Sequence, residues 1–363
     1  MPNNRGLDVL RTSYLTDNVL NIEEPPGLLK GLLADPVTSV FPGTDNVEFG
    51  RERLDREGAP FIPMEAEAVY VGDRSRTMTN MEIPNIAMRK SIRAGDFAHD
   101  RSIGDQIYLT AGTSSTTSNS LEARVDRYQR DMVRRIENTL EWWVSNILDS
   151  GTVTYSDSAY DAFTYDFGRS GGHSISASPL WSTNPSAAVK LEDIQTVKRL
   201  VADSEYLSVN VAICGTEAAQ NLRGDDLLAE RLDYRNVDEN RANSYIDINA
   251  PYAMQGAVTP IGRLAGIEFW EYTRQVTLLG GAPVDLVDPK AIYLFHQGRE
   301  NDIRKFFGPV YDLQTARGRA INTERFSKSW MRDYPSDMQM IVQSRPLIAP
   351  FRPDFCVKLT VIA

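Results

Sequence analysis

The chain has 363 residues, 42% of them hydrophobic, which suffices for two or three domains with real cores and excludes a disordered tail or a miniature scaffold. A formal net charge of −10 without a long basic run argues against a protein whose main surface grips phosphate backbones, while a container that holds nucleic acid without sticking to it tolerates that charge. No stretch approaches the ~20 apolar residues of a membrane span, and MPNNRGLDVL lacks the basic-then-apolar layout of a signal peptide, so the expectation is a chain made and kept in the cytosol.

Residues 1–46 read as an arm, broken at Glu24-Pro-Pro-Gly27 and Phe41-Pro-Gly43, with Leu28–Leu33 as its one short helix. Such an arm is laid on something rather than folded by itself. From Val47 to Ile92 the pattern becomes extended. Met64, Ala66, Ala68 and Tyr70 alternate with Glu65, Glu67, Val69 and Val71, Gly72-Asp73 make a turn, and Met78–Ile83 alternate on the way back. That reading is a long β-hairpin with Glu65, Glu67 and Glu82 on its shaft and Arg74 and Arg76 near its tip. A two-stranded hairpin is marginal alone in water, so a neighbour, such as another subunit, should order it.

Between Asn119 and Gly151 one helical stripe runs Leu121, Val125, Tyr128, Met132, Ile136, Leu140, Trp143, Ile147, in steps of three or four residues. Asn119 and Glu122 have capping-box spacing, and Gly151 supplies the stop. A helix of about thirty residues spans on the order of 45 Å and serves as a backbone for other elements. Its other face carries Arg124, Arg127, Arg130, Arg134, Arg135 and Glu137, and is therefore solvated or meets a charged partner. The arginine spacing could suit nucleic acid, but Asp126, Asp131 and Glu137 interrupt it, which favours surface pairs or subunit salt bridges. Trp142 and Trp143 could form an aromatic platform; Trp143, on the apolar stripe, reads as core.

A second hairpin, Val153–Tyr155 with Phe163–Phe167, and a Gly/Ser-rich loop from Gly168 to Ser178 follow. The middle reads as α/β: a helix from about Lys190 to Ala202, a strand Val209–Cys214, a helix from Thr216, a polar helix Asp225–Tyr234, an exposed loop Arg235–Asn249, and strands Ile267–Tyr272 and Ala291–Phe295. From Phe326 the chain alternates strongly and ends in a strand buried in a sheet, Phe355 to Ile362.

Chemistry is sparse. His99, His173 and His296 are the only histidines, and none has a His or Cys at ligand spacing. His99 lies near Asp96 and Asp100, and His296 lies four residues before Glu300, so a general-base pair is conceivable; a solvated acidic loop is the plainer reading. Cys214 and Cys356 sit in separate apolar runs and read as buried thiols rather than a disulfide. Nucleophile-elbow, phosphate-loop and dinucleotide motifs are missing, and no catalytic residue, metal or cofactor is assigned.

The order of arm, hairpin, long helix, hairpin, α/β middle and strand-rich return resembles tailed-phage major capsid proteins of the Hong Kong 97-like fold, and most closely the phage lambda major capsid protein (capsid protein E) family. The residues that carry the likeness are Val153–Arg169, with Asp166-Phe-Gly-Arg169 directly after the long helix; Pro179-Leu-Trp-Ser182 before Asp193-Ile194; and, near the end, Ser344-Arg-Pro-Leu347 and Arg352-Pro-Asp354-Phe355. It covers the chain from about Val47, and collinearity is what makes it specific.

The resemblance implies an α+β fold with an N-terminal arm (1–46), an extended loop (47–92), a peripheral domain (93–189 and 320–363, spine helix about 119–150) and an α/β axial domain (190–319). It further implies hexamers and pentamers closing into an icosahedral virion shell around double-stranded DNA, assembled in the host cytoplasm. Expected partners are a separate scaffolding protein and a portal, with the shell reinforced by strand pairing or by a decoration protein, the DNA contacted non-specifically and no membrane. Glu65, Glu67, Arg74, Arg76, Arg127 and Arg134 are the expected inter-subunit contacts. Some relatives crosslink a lysine to an asparagine near a glutamate; Lys90, Asn80 and Glu82 offer the residue types, but no motif matches and no crosslink is assigned. The alternatives are a cargo-enclosing compartment of the same fold and, further off, an enzyme acting through His99 or His296.

Overall fold

The computed structural model describes residues 11–22, 27–34, 38–52, 76–93, 121–156, 162–184, 186–225, 257–278, 281–298, 303–313, 319–332 and 337–363. The arm is more ordered than its sequence suggests. Besides α2 (Leu28–Leu33), where it was expected, it contains α1 (Thr12–Asn21). Leu15 and Val19, four residues apart, are the fully buried pair on α1, while Ser13, Tyr14, Asp17 and Leu20 remain exposed. So narrow a stripe gives little periodicity to read. β1 (Ser39–Val40) follows.

The extended region opens with β2 (Asn46–Glu52) and β3 (Arg76–Glu82), paired antiparallel from Asn46 opposite Glu82 to Glu52 opposite Arg76. The return strand thus has a partner, Asn46–Glu52, that the alternation did not assign. Met64–Tyr70 and the Gly72-Asp73 turn lie outside the described residues. β4 (Ile86–Arg93) comes next.

The long helix is α3 (Leu121–Asp149). Val125, Met132, Ile136, Leu140, Trp143 and Ile147 are buried in the expected steps, and Val133, Val144 and Leu148 widen the buried stripe. Each large apolar side chain so buried contributes ~1.5–3 kcal/mol. Gly151 ends the helix at φ +71, in the left-handed region. Asn119 lies outside the described residues, and so does its cap. β5 (Thr152–Tyr155) and β6 (Phe163–Asp166) form the second hairpin, whose aromatic residues pack on the end of α3: the Trp143 ring lies 6.0 Å from Phe163 and 5.5 Å from Tyr165.

The remaining elements, in order, are β7 (Ser174–Ser176), α4 (Ala187–Glu205), β8 (Val211–Cys214), α5 (Thr216–Arg223), β9 (Val258–Leu264), β10 (Ile267–Tyr272), β11 (Gln275–Thr277), β12 (Pro283–Asp285), β13 (Ala291–Phe295), β14 (Ile303–Phe307), β15 (Val310–Tyr311), β16 (Ala320–Ile321), β17 (Phe326–Arg332), β18 (Asp337–Ser344), β19 (Pro346–Pro350) and β20 (Cys356–Thr360). The polar helix and loop expected between 226 and 249 lie outside the described residues.

Six strands make the largest sheet, in the order β7-β20-β13-β8-β10-β9. It is mixed, with β7 parallel to β20 and β8 parallel to β10. β8 and β13 are buried at every position, as strands covered on both faces must be. α4 and the end of α3 both pack on β20. The C-terminal strand therefore lies inside the sheet, as its apolar sequence demanded. Two three-stranded sheets flank it, β17-β18-β4 and β1-β14-β19, the latter joining the arm to the late strands. On the outer side of β17, Thr16 Oγ1 of α1 donates to the Ser327 carbonyl (3.1 Å) and accepts from the Ser327 N–H (3.3 Å).

Candidate assembly surface

The sequence motifs after α3 prove to be fasteners. Asp166 accepts a hydrogen bond from the Gly168 N–H (2.8 Å), shaping the turn that aims Arg169 back at the helix. Arg169 donates to the last carbonyls of α3, Leu148 (2.7 Å) and Asp149 (3.2 Å), and to the His173 carbonyl (2.7 Å). A cation at these carbonyls also offsets the negative end of the helix dipole. A side chain at position 151 would meet Arg169 Cβ at 2.5 Å, so this turn needs glycine for space as well as conformation. Asp354 receives the Ser170 N–H (2.7 Å), which ties the Arg352-Pro-Asp354 segment to the same corner. Trp181, fully buried, donates its indole N–H to Asp193 (2.8 Å), joining Pro179-Leu-Trp-Ser182 to α4.

On the outward face of α3, Arg127, Arg130, Arg134 and Arg135 are exposed. Arg127, Arg130 and Arg134, with Lys90 of β4, border an open groove of about 600 Å³ beside Tyr128. Lys90 lies 4.5 Å from the Tyr128 ring centre and donates to Asp131, which also meets Arg135 at 3.6 Å. The hydrogen bond from Lys90 holds the Asp131 carboxyl below the usual carboxylate range. Asp126 accepts from Asn18 of α1 (2.7 Å). Two of the expected contacts, Arg127 and Arg134, thus share this groove; Arg76 stands in β3, while Glu65, Glu67 and Arg74 lie outside the described residues.

Glu137 corrects the sequence reading. Its side chain is buried, and it binds Lys30 (2.5 Å) and Arg325 (2.5 Å). One turn later Glu141, fully buried, accepts from the Leu29 N–H (2.9 Å), the Lys30 N–H (2.8 Å) and the Tyr272 hydroxyl (2.8 Å). Desolvation pushes its carboxyl above the ordinary value. The signal available in sequence was the broadening of the stripe by Val133, Val144 and Leu148, which encloses positions 137 and 141.

The candidate enzyme residues do not converge. His173 Nδ1 lies 3.3 Å from the Cys356 carbonyl oxygen and His296 Nδ1 lies 2.6 Å from that of Ser208, each on a different segment; His99 is outside the described residues. Both cysteines are buried and free, and burial pushes the Cys356 thiol up to about 11 and the Cys214 thiol higher still, so neither is a ready nucleophile. Among the described residues no three potential ligands group as a metal site, and no helix is long and apolar enough to cross a membrane.

The same fold is found in a crystallised protein assigned as a prophage capsid protein in Escherichia coli CFT073, with TM-score 0.70, 16% identity and coverage of 98% of this chain and 99% of that one. Weaker likenesses run to the capsid of cyanophage P-SCSP1u (TM-score 0.49, 10% identity, 94% and 89% covered) and to the SrpI encapsulin of Synechococcus elongatus PCC 7942 (TM-score 0.45, 10% identity, 100% and 96% covered). No curated protein sequence matches. The fold is thus of the α+β, Hong Kong 97-like class. The profile of the family described as phage major capsid protein E matches residues 11–361, and the chain belongs to that family.

Proposed function

We propose that the chain forms hexamers and pentamers that close into an icosahedral shell around double-stranded DNA, in the host cytoplasm and without catalysis. The observation that carries this reading is the match of residues 11–361 to the phage major capsid protein E family, and the β2–β3 ladder, two-stranded among the described residues, suits a strand pair that a neighbouring copy extends. In this reading residues 1–46 are an arm, 47–92 a loop reaching a neighbour, 93–189 and 320–363 a peripheral domain, and 190–319 an axial domain. Glu65, Glu67, Arg74, Arg76, Arg127 and Arg134 make charge contacts between copies. A separate scaffolding protein, a portal and a decoration protein complete the assembly, and DNA is touched non-specifically.

The test is electron microscopy of the purified chain expressed with and without its neighbouring genes. Closed shells with five-fold and six-fold units support the proposal. Shells filled with an enzyme cargo would move it to a compartment, and a persistent monomer under both conditions would sink it. Reversing Arg127 and Arg134 together to glutamate should leave soluble protein and few closed shells; normal yields would remove these residues from the contact.

A further inference from the structure

The arm and the six-stranded sheet meet at one oxygen atom. Oε1 of Glu141 accepts both the Leu29 N–H of α2 (2.9 Å) and the hydroxyl of Tyr272, the last residue of β10 (2.8 Å), while Oε2 takes the Lys30 N–H (2.8 Å). The carboxylate reaches the start of α2 because residue 27 is glycine: a Cβ there would stand 2.0 Å from Glu141 Cδ. Just beyond β10, Arg274 donates to Asn138 of α3 (2.7 Å). On the arm side, Arg325 links Glu137 (2.5 Å) to the carbonyls of Val19 and Ile22 (3.3 Å each) at the end of α1.

A fully buried carboxylate is tolerated only while its hydrogen-bonding capacity is filled. Glu141 draws that capacity from two elements that do not belong to one another, one in the arm and one at the end of a sheet strand. Loss of either leaves the oxygen short of a donor and free to move, which weakens its hold on the other. Two attachments that depend on one shared group have a coupling free energy, and the coupling must be reciprocal.

We propose that seating of the arm on α3 and seating of the β10 end on α3 are a single linked event transmitted by Glu141. Undocking the arm loosens Tyr272, and displacing Tyr272 loosens α2. Any partner that captures the arm thereby changes how firmly the six-stranded sheet is held against the long helix. The inference goes beyond the shell reading and does not depend on it.

Hydrogen exchange followed by mass spectrometry on the full chain tests the linkage with Gly27→Ala, which blocks the arm's approach, and Tyr272→Phe, which removes one hydroxyl from the sheet side. Amides of β13 report any general loss of stability. The expected result is crossed: relative to β13, Gly27→Ala speeds exchange several-fold in residues 270–278 as well as 28–34, and Tyr272→Phe speeds exchange several-fold in 28–34. The double variant should gain less than the product of the two factors. Effects confined to each variant's own segment, or factors that simply multiply, would overturn the proposal. Should Gly27→Ala fail to fold, Tyr272→Phe read at 28–34 decides it alone.

Discussion

Two sides of α3 use the same kinds of charged residue in different surroundings. Lys90 and Asp131 pair on the outward side with side chains 33% and 35% exposed, whereas Lys30 and Glu137 pair on the inward side at 10% and 7%. Exposed pairs contribute about 0–1 kcal/mol, because water and salt offer each ion a near-equal alternative. Breaking a buried pair costs ~3–5 kcal/mol, because the remaining ion has none. The inward charges therefore fasten the arm, while the outward ones can exchange partners with a neighbouring surface at little cost. A shell subunit that must hold its own arm yet meet other subunits is served by that division.

The comparison can be tested by mutation, starting from the inward side. Glu141→Ala leaves the Leu29 and Lys30 N–H groups and the Tyr272 hydroxyl without their acceptor and should lower unfolding free energy by ~3–5 kcal/mol, measured by urea denaturation. Arg325→Met leaves Glu137 with Lys30 alone and should cost about 2 kcal/mol by the same measurement, as for one charge-assisted hydrogen bond. Lys90→Met should cost under ~1 kcal/mol. A Lys90 variant as destabilised as Glu141→Ala would erase the distinction between the two sides.

Acidity separates them by sign. Burial raises the Glu141 carboxyl above its ordinary value, so the folded chain binds this proton more readily than the unfolded one. Its stabilising contribution is full below the unfolded value and is lost as pH rises through the folded one. Asp131 is held low by Lys90, so its contribution is present above the unfolded value and fades as pH falls through the folded one, a small effect for a group this exposed. Urea midpoints from neutral pH to about pH 3 should show Glu141→Gln losing a gain on acidification and Asp131→Asn losing a decline. Shifts of the same sign in both variants would refute the assignment.

Much of the frame was legible in the residues. Ile267–Tyr272 and Ala291–Phe295 form strands with the bounds read from sequence, because short segments rich in isoleucine and aromatic residues beside turn residues leave little choice. α2 and α3 were equally plain. α1 was missed because its buried stripe is Leu15 and Val19 among polar residues, a pattern that becomes helical only against α3 and β17. Its charge alone points Glu137 outward, but the packing of the arm, more than a hundred residues earlier in the chain, brings Lys30 over it. The pairing of β3 with Asn46–Glu52 was hidden for a related reason, since alternation marks a strand without naming its partner.

Thr16 has a consequence outside the energetics of the arm. Its hydroxyl engages both the N–H and the carbonyl of Ser327, so α1 occupies the side of β17 away from β18, where another extended chain could otherwise add itself. An uncovered strand edge is a template for indiscriminate pairing, and the hazard grows with concentration. A shell subunit accumulates in many copies before it is used. Helix α1 thus acts as a guard, closing one route to disordered polymer and leaving association to surfaces of defined shape and charge.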